Sequence, residues 1–139
     1  MKTIVVLAVS IVLVSILFCP MAMSAPSMPA DLQMVEPDPS LPKELSAFFG
    51  KWEGGDGYAE YLFIVEKIDN EKASLYIYRS RPSETAGAGW FRYEGIAIKE
   101  GKKYKVSFRG SVGPVDLMLK GDYLNMSTPQ GTMRLRRVP

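Results

Sequence analysis

The chain has 139 residues, with 47% hydrophobic and 23% charged side chains, 12 glycines, 10 prolines and a formal charge of +2; that is enough for one domain with a real core and too little for two. There is no histidine, and the single cysteine, Cys19, sits in an apolar N-terminal run expected to be removed, so disulfide scaffolds, histidine general bases and thiol nucleophiles are set aside together. A nucleic-acid binder would carry a dominant basic face, and this charge balance supplies none, so no nucleic-acid partner is expected.

Lys2 precedes an apolar stretch over residues 4–18, and Ala22 and Ser24 place small side chains where a signal peptidase reads them. Residues 1–24 therefore read as a signal peptide. Cleavage after Ser24 is preferred, because a cut after Ala25 would leave the ring-locked Pro26 next to the scissile bond. A lipidated Cys19 fits poorly, since the bulky Phe18 stands where a lipobox needs a small residue. The other alternative is an uncleaved anchor. No charge interrupts residues 3–30, but the strongly apolar part is about 15 residues against the roughly 20 that a spanning helix needs. The expected location is periplasmic or secreted, with no stable membrane span after processing.

Residues 25–41 carry Pro26, Pro29, Pro37 and Pro39 among small and acidic side chains and read as a linker; residues 42–139 are left as the domain. Ser40 is placed to cap a short helix through residues 42–48, with Pro42 in its first turn and Phe48 and Phe49 plugging the core. After Gly50 the pattern changes to alternation with period two: Ala59, Tyr61, Phe63 and Val65; Ala73, Leu75 and Ile77; Tyr104, Val106 and Phe108; Val115, Leu117 and Leu119. Short turns at residues 69–72, 99–102, 110–114, 121–122 and 129–131 force antiparallel hairpins. The longer stretch over residues 81–89 reads as a mobile loop, a candidate lid. About eight strands result, near 50–54, 57–67, 72–80, 90–98, 103–109, 114–120, 122–127 and 132–138. The expected fold is all-β, an eight-stranded antiparallel up-and-down β-barrel, because closure removes both edges.

Gly50-Lys51-Trp52, followed by Gly54, Gly55 and Gly57, opens the first strand. With it the domain resembles the calycins, the superfamily of lipocalins and fatty-acid-binding proteins, and more closely the short lipocalin-like domains of bacterial secreted proteins. The resemblance spans residues 45–138. It implies that the tryptophan fills the closed end of a barrel and that a basic residue of the last strand packs across it. Antiparallel closure places Arg137, which shares a face with Met133 and Leu135, near Trp52, while Arg134 and Arg136 point outward. Gly50, Trp52 and Arg137 thus form the expected structural base. The glycine run also resembles nitrobindin-like haem barrels, which hold iron through a histidine that this chain lacks. No cofactor and no metal site are expected.

The remaining features are weaker signals. Tyr61, Phe63, Leu75, Ile77, Trp90, Val106, Phe108 and Leu117 are the candidate ligand-binding residues, although aromatic and aliphatic side chains in strands also serve plain packing. In the strand near 90–98, Phe91/Tyr93/Ala97 and Trp90/Ile96/Ile98 compete for the inward face. Arg79, Arg81, Arg92, Glu60 and Glu94 read as solvated surface. Residues 99–139 carry nine basic and three acidic side chains, and residues 25–98 carry seven and twelve, a dipolar arrangement that the barrel mixes in space.

The expected function is an exported, non-enzymatic module binding a small apolar or amphipathic ligand. The alternative is a protein-interaction or inhibitor module acting through the 81–89 loop. A hydrolase using Asp56, Glu60 and Glu94 carries the least weight, as their spacing singles out no acid/base pair. The export reading is checked by intact-mass analysis of the exported protein: a chain starting at or near Ala25 is expected, and a mass retaining Met1 or lipid on Cys19 would contradict it.

Overall fold

The computed structural model describes residues 25–139; the expected signal segment, with Cys19 and its cleavage site, lies outside them. Period-two alternation after Gly50 becomes eight strands: β1 (Gly50–Gly55), β2 (Glu60–Ile68), β3 (Lys72–Arg79), β4 (Gly89–Glu100), β5 (Lys103–Gly110), β6 (Gly113–Lys120), β7 (Tyr123–Thr128) and β8 (Gly131–Val138). Each pairs antiparallel with the next and β8 returns to β1, closing an up-and-down barrel. Closure removes the two long edges that an open eight-stranded sheet would expose. Among the described residues, no helix is long and apolar enough to cross a membrane.

The short helix is a single turn, α1 (Lys43–Ser46). Its expected cap is not used: Ser40 donates to Asp38, and the residue before the helix is Pro42, which has no side-chain cap to offer. Packing sets its place instead, because Leu41, Leu45 and Phe48 are buried in the core beneath the barrel.

Register settles the face that was open in β4. Leu75 lies opposite Tyr93 and Ile77 opposite Phe91, so Phe91, Tyr93, Gly95 and Ala97 point inward and Trp90, Arg92, Glu94 and Ile96 outward. Inward residues fill the closed half of the barrel completely: Trp52, Val65, Leu75, Val106, Leu117, Leu124 and Leu135 are all fully buried or nearly so. This agrees with eight strands enclosing an interior just wide enough for side chains.

Residues 25–41 do not behave as a free linker. They run along the outside of the barrel over β2, β3 and β4 as a strap. The register of β2 against β3 shifts between Val65 and Lys67, which makes Glu66 the extra residue of a bulge. Its backbone carbonyl is thereby released from β3 and accepts from Val35 N–H at 2.8 Å, while its carboxylate accepts from Gln33 N–H at 3.1 Å and from Arg92 at 2.8 Å. Glu66 is only 3% exposed, and the Gln33 amide and the Arg92 guanidinium on its carboxylate are what make its burial tolerable. Arg92 also lies 3.9 Å from Asp31. Nearer the other end of the barrel, Trp90 donates its indole N–H to the Ser27 carbonyl at 2.8 Å. The buried Tyr76 hydroxyl sits by the Asp31 carboxylate without ideal hydrogen-bond geometry, and that carboxylate pushes the phenol up to about 12.

The strap explains why two outward residues, Ile64 and Tyr76, are buried on a face that should meet water. Proline suits it for the reason it first read as a linker: an extended segment that lends only a few N–H groups needs no ladder of its own. Deleting residues 25–36 should uncover Ile64 and Tyr76 and lower the unfolding free energy by roughly 2–4 kcal/mol, measured by urea denaturation. An unchanged midpoint would mean that the strap is not part of the fold.

Candidate functional site

The two ends of the barrel differ in chemistry. At the closed end, β1 meets β8 through the pairs Lys51 with Val138, Trp52 with Arg137 and Glu53 with Arg136. The Arg137 guanidinium lies over the Trp52 ring at 4.1 Å from its centroid and donates to the Phe49 and Ala47 carbonyls. The indole N–H donates to the Phe48 carbonyl at 3.0 Å. Arg137 therefore joins the last strand to the segment that leads into the first, with a cation–π contact at the centre. Partial burial pulls its pKa down from the ordinary guanidinium value.

Gly50 completes the arrangement. Its φ of +115° is outside the range L side chains adopt readily, and a Cβ there would come within 2.8 Å of the Arg137 Nη1. Gly54 has a packing reason of its own, since a Cβ would approach the Arg134 carbonyl and Leu135 to 2.7 Å. The Gly-x-Trp-x-Gly pattern thus records how closely β8 lies against β1.

The open end holds a cup of about 580 Å³, within the size range of small-molecule sites. Its wall is apolar and aromatic: Tyr61, Phe63, Ile77, Phe91, Tyr93, Phe108, Val115, Met126 and Met133. Tyr93 and Phe108 pack with ring centroids 5.0 Å apart, and Tyr61 and Phe63 at 6.4 Å. Burial pushes the Tyr61 and Tyr93 hydroxyls up from the ordinary phenol value.

The rim is built from loops that hold each other. Asp56 accepts from the Tyr58 and Ala59 amides at 2.9 and 2.8 Å and from the Tyr61 hydroxyl at 3.1 Å; these donors, the Ala59 amide foremost, hold its carboxyl below the usual range. Tyr58 donates to the Pro82 carbonyl at 3.2 Å, and Arg81 lies over the Tyr58 ring. Ser83 folds the long loop into a turn on Ala86, and Ser83, Glu84, Thr85 and Ala86 line the cup. The 81–89 loop thus stands at the mouth, tied on one side to the β1–β2 loop.

Of the eight candidate ligand residues, Tyr61, Phe63, Ile77 and Phe108 line the cup. Leu75, Val106 and Leu117 point inward but lie in the filled half, fully buried. Trp90 is a correction: it sits on the outer face, against Tyr78 at 5.3 Å and Tyr76 at 6.4 Å between centroids, and holds the strap. An odd–even step explains it, since Gly89 rather than Trp90 faces Arg79 in register.

Phe91 and Tyr93 join the wall once the face of β4 is known. Arg79 was set aside as surface, yet it continues the inward series of Leu75 and Ile77 and lines the cup. Extending the alternation of β3 by one step would have found it. No family model, no curated protein and no solved structure matches this chain, so the site stands on its own geometry.

Trp52→Ala should destabilise the domain by roughly 3–5 kcal/mol, as large core truncations do, and Arg137→Ala by less. In a double-mutant cycle the two should be coupled. Purely additive effects in denaturant titrations would contradict the contact.

Proposed function

We infer that this domain is a lipocalin-like binding module for a small apolar or amphipathic ligand, acting outside the cytoplasm. The observation that carries the reading is the half-filled barrel. Side chains fill the closed half, while the open half leaves a cup of about 580 Å³ walled by aromatic and aliphatic residues. Apolar side chains that converge on one empty, concave space gain free energy from a guest that displaces water from them. Placement outside the cytoplasm rests on Lys2, the apolar run and the peptidase-like site. The reading assigns no reaction and needs no cofactor.

Titration of the chain starting at Ala25 with neutral environment-sensitive dyes and a panel of isoprenoids, alcohols and fatty acids tests it. Saturable binding at micromolar concentration is expected, weakened at least about tenfold by Phe108→Asp, which sets a charge into the apolar wall. If no probe binds, the carrier reading fails, and a protein contact through the 81–89 loop takes its place.

A further inference from the structure

The cup has an apolar wall and one cation. Among the described residues that line it, Arg79 is the only lysine or arginine, and it enters from the last position of β3, on the face shared by Leu75 and Ile77. Among the described residues it forms no ion pair within 4.0 Å. Its Nε is buried and meets no hydrogen-bond acceptor. The contact that holds it is with the Tyr61 ring, 5.5 Å below the guanidinium carbon.

The other arginines of the barrel wall and rim are placed differently. Arg92 and Arg136 have carboxylate partners, Arg137 has two backbone carbonyls, Arg81 and Arg134 stack on exposed tyrosines, and Arg109, which has no such partner, stands exposed to solvent on β5 outside the cup. A partly buried cation with an orphaned donor is costly to maintain and becomes favourable when an anion completes it.

Two carboxylates also line the cup, Asp56 and Glu84. Asp56 is turned into its own loop: one oxygen accepts two amide N–H groups and the other accepts the Tyr61 hydroxyl. Glu84 lies exposed on the long loop at the rim. Neither lies within ion-pair distance of Arg79; the guanidinium acts on Asp56 only at longer range, helping to hold that carboxyl below its usual value, and its own Nε–H is left without an acceptor.

We propose that the cup takes an amphiphile with an anionic head, the head held by Arg79 near the mouth and the apolar part lying against Phe63, Ile77, Phe91 and Phe108. This rests on the binding reading above and narrows it to a ligand class: a small carboxylate, sulfate or phosphate attached to an apolar body. Head-at-the-mouth is dictated by chain position. Arg79 ends β3 at the open rim, and the side chains beneath the cup are already packed. The head thus stays within reach of solvent while the body displaces water from the aromatic wall.

The test uses matched ligands and a neutral reporter dye on the chain starting at Ala25. Decanoate, decyl phosphate and 1-decanol are compared as competitors, with inorganic phosphate as the anion alone. Both anionic amphiphiles should displace the dye about tenfold or more tightly than the alcohol, the size of one charge-assisted hydrogen bond, and inorganic phosphate should not compete. Arg79→Leu should bring acid and alcohol to within about twofold of each other, and Arg79→Lys should keep part of the preference. Dye binding by each variant reports that the cup is still formed, and the comparison of acid with alcohol on the unmodified chain needs no variant at all.

Equal binding of acid and alcohol, or a preference that survives Arg79→Leu, would overturn the anionic head and leave the carrier reading standing. Competition by inorganic phosphate would overturn the two-part ligand. Absence of binding by the dye and every amphiphile would bring down both readings together.

Discussion

The barrel depends on a seam of three residue pairs, where β8 meets β1. Every other neighbouring pair of strands is consecutive in sequence, the longest connection being residues 80–88 between β3 and β4, so its closure entropy is small. The β1–β8 seam instead brings together residues more than eighty positions apart. It is therefore secured on both faces: Arg136 pairs with Glu53 outside, and Arg137 lies over Trp52 inside while its guanidinium reaches the carbonyls of Ala47 and Phe49. The second contact also fixes the chain between α1 and β1. One guanidinium thus joins the last strand, the first strand and the basal plug.

Once that seam is closed, the interior is determined by what lies above the plug. Trp52 and the layer of Leu75, Val106, Leu117, Leu124 and Leu135 leave no space. Towards the mouth the inward positions pass to aromatic rings, methionines and one arginine, which line a cup rather than meeting across it. The outer face follows another rule. A bulge at Glu66 frees a carbonyl and a carboxylate, and the proline-rich segment uses both to lie over Ile64 and Tyr76. A buried acid on the outside of a barrel would be unfavourable alone; with Arg92 and the Gln33 amide on its carboxylate, and the Val35 amide on its backbone carbonyl, Glu66 fixes the strap in register.

Strand number, antiparallel order and the Trp52–Arg137 base were legible in the sequence because each follows from a local rule: alternation, turn chemistry and the antiparallel closure of first on last. β4 was legible as a strand but not in its facing, because large apolar residues occupy both of its sides. Trp90, Ile96 and Ile98 belong to the outer surface, and only pairing with β3 decides between them and Phe91 and Tyr93. The strap was illegible for a related reason. Its proline and acidic residues have no periodicity, and its partners, Glu66, Arg92 and Trp90, lie far along the chain. Arg79 was missed because a charged residue at a strand end is ordinarily solvated, although parity with Ile77 already placed it inward.

Stability and cavity shape are consequently separated along the barrel axis. The closed half contains the tight seam, the basal tryptophan and the fully buried aliphatic layer, where packing is dense and a change of one methylene is felt. The open half is bounded by loops tied together by the Tyr58 hydroxyl on Pro82 and the Glu60 amide on Ser80, and its side chains face open space. A substitution at Phe91 or Tyr93 therefore meets a cavity on one side and a rigid, hydrogen-bonded strand on the other. Such positions can change the shape and charge of the cup with little effect on the seam that closes the barrel, so the lining of the cup is free to vary while the base stays constrained.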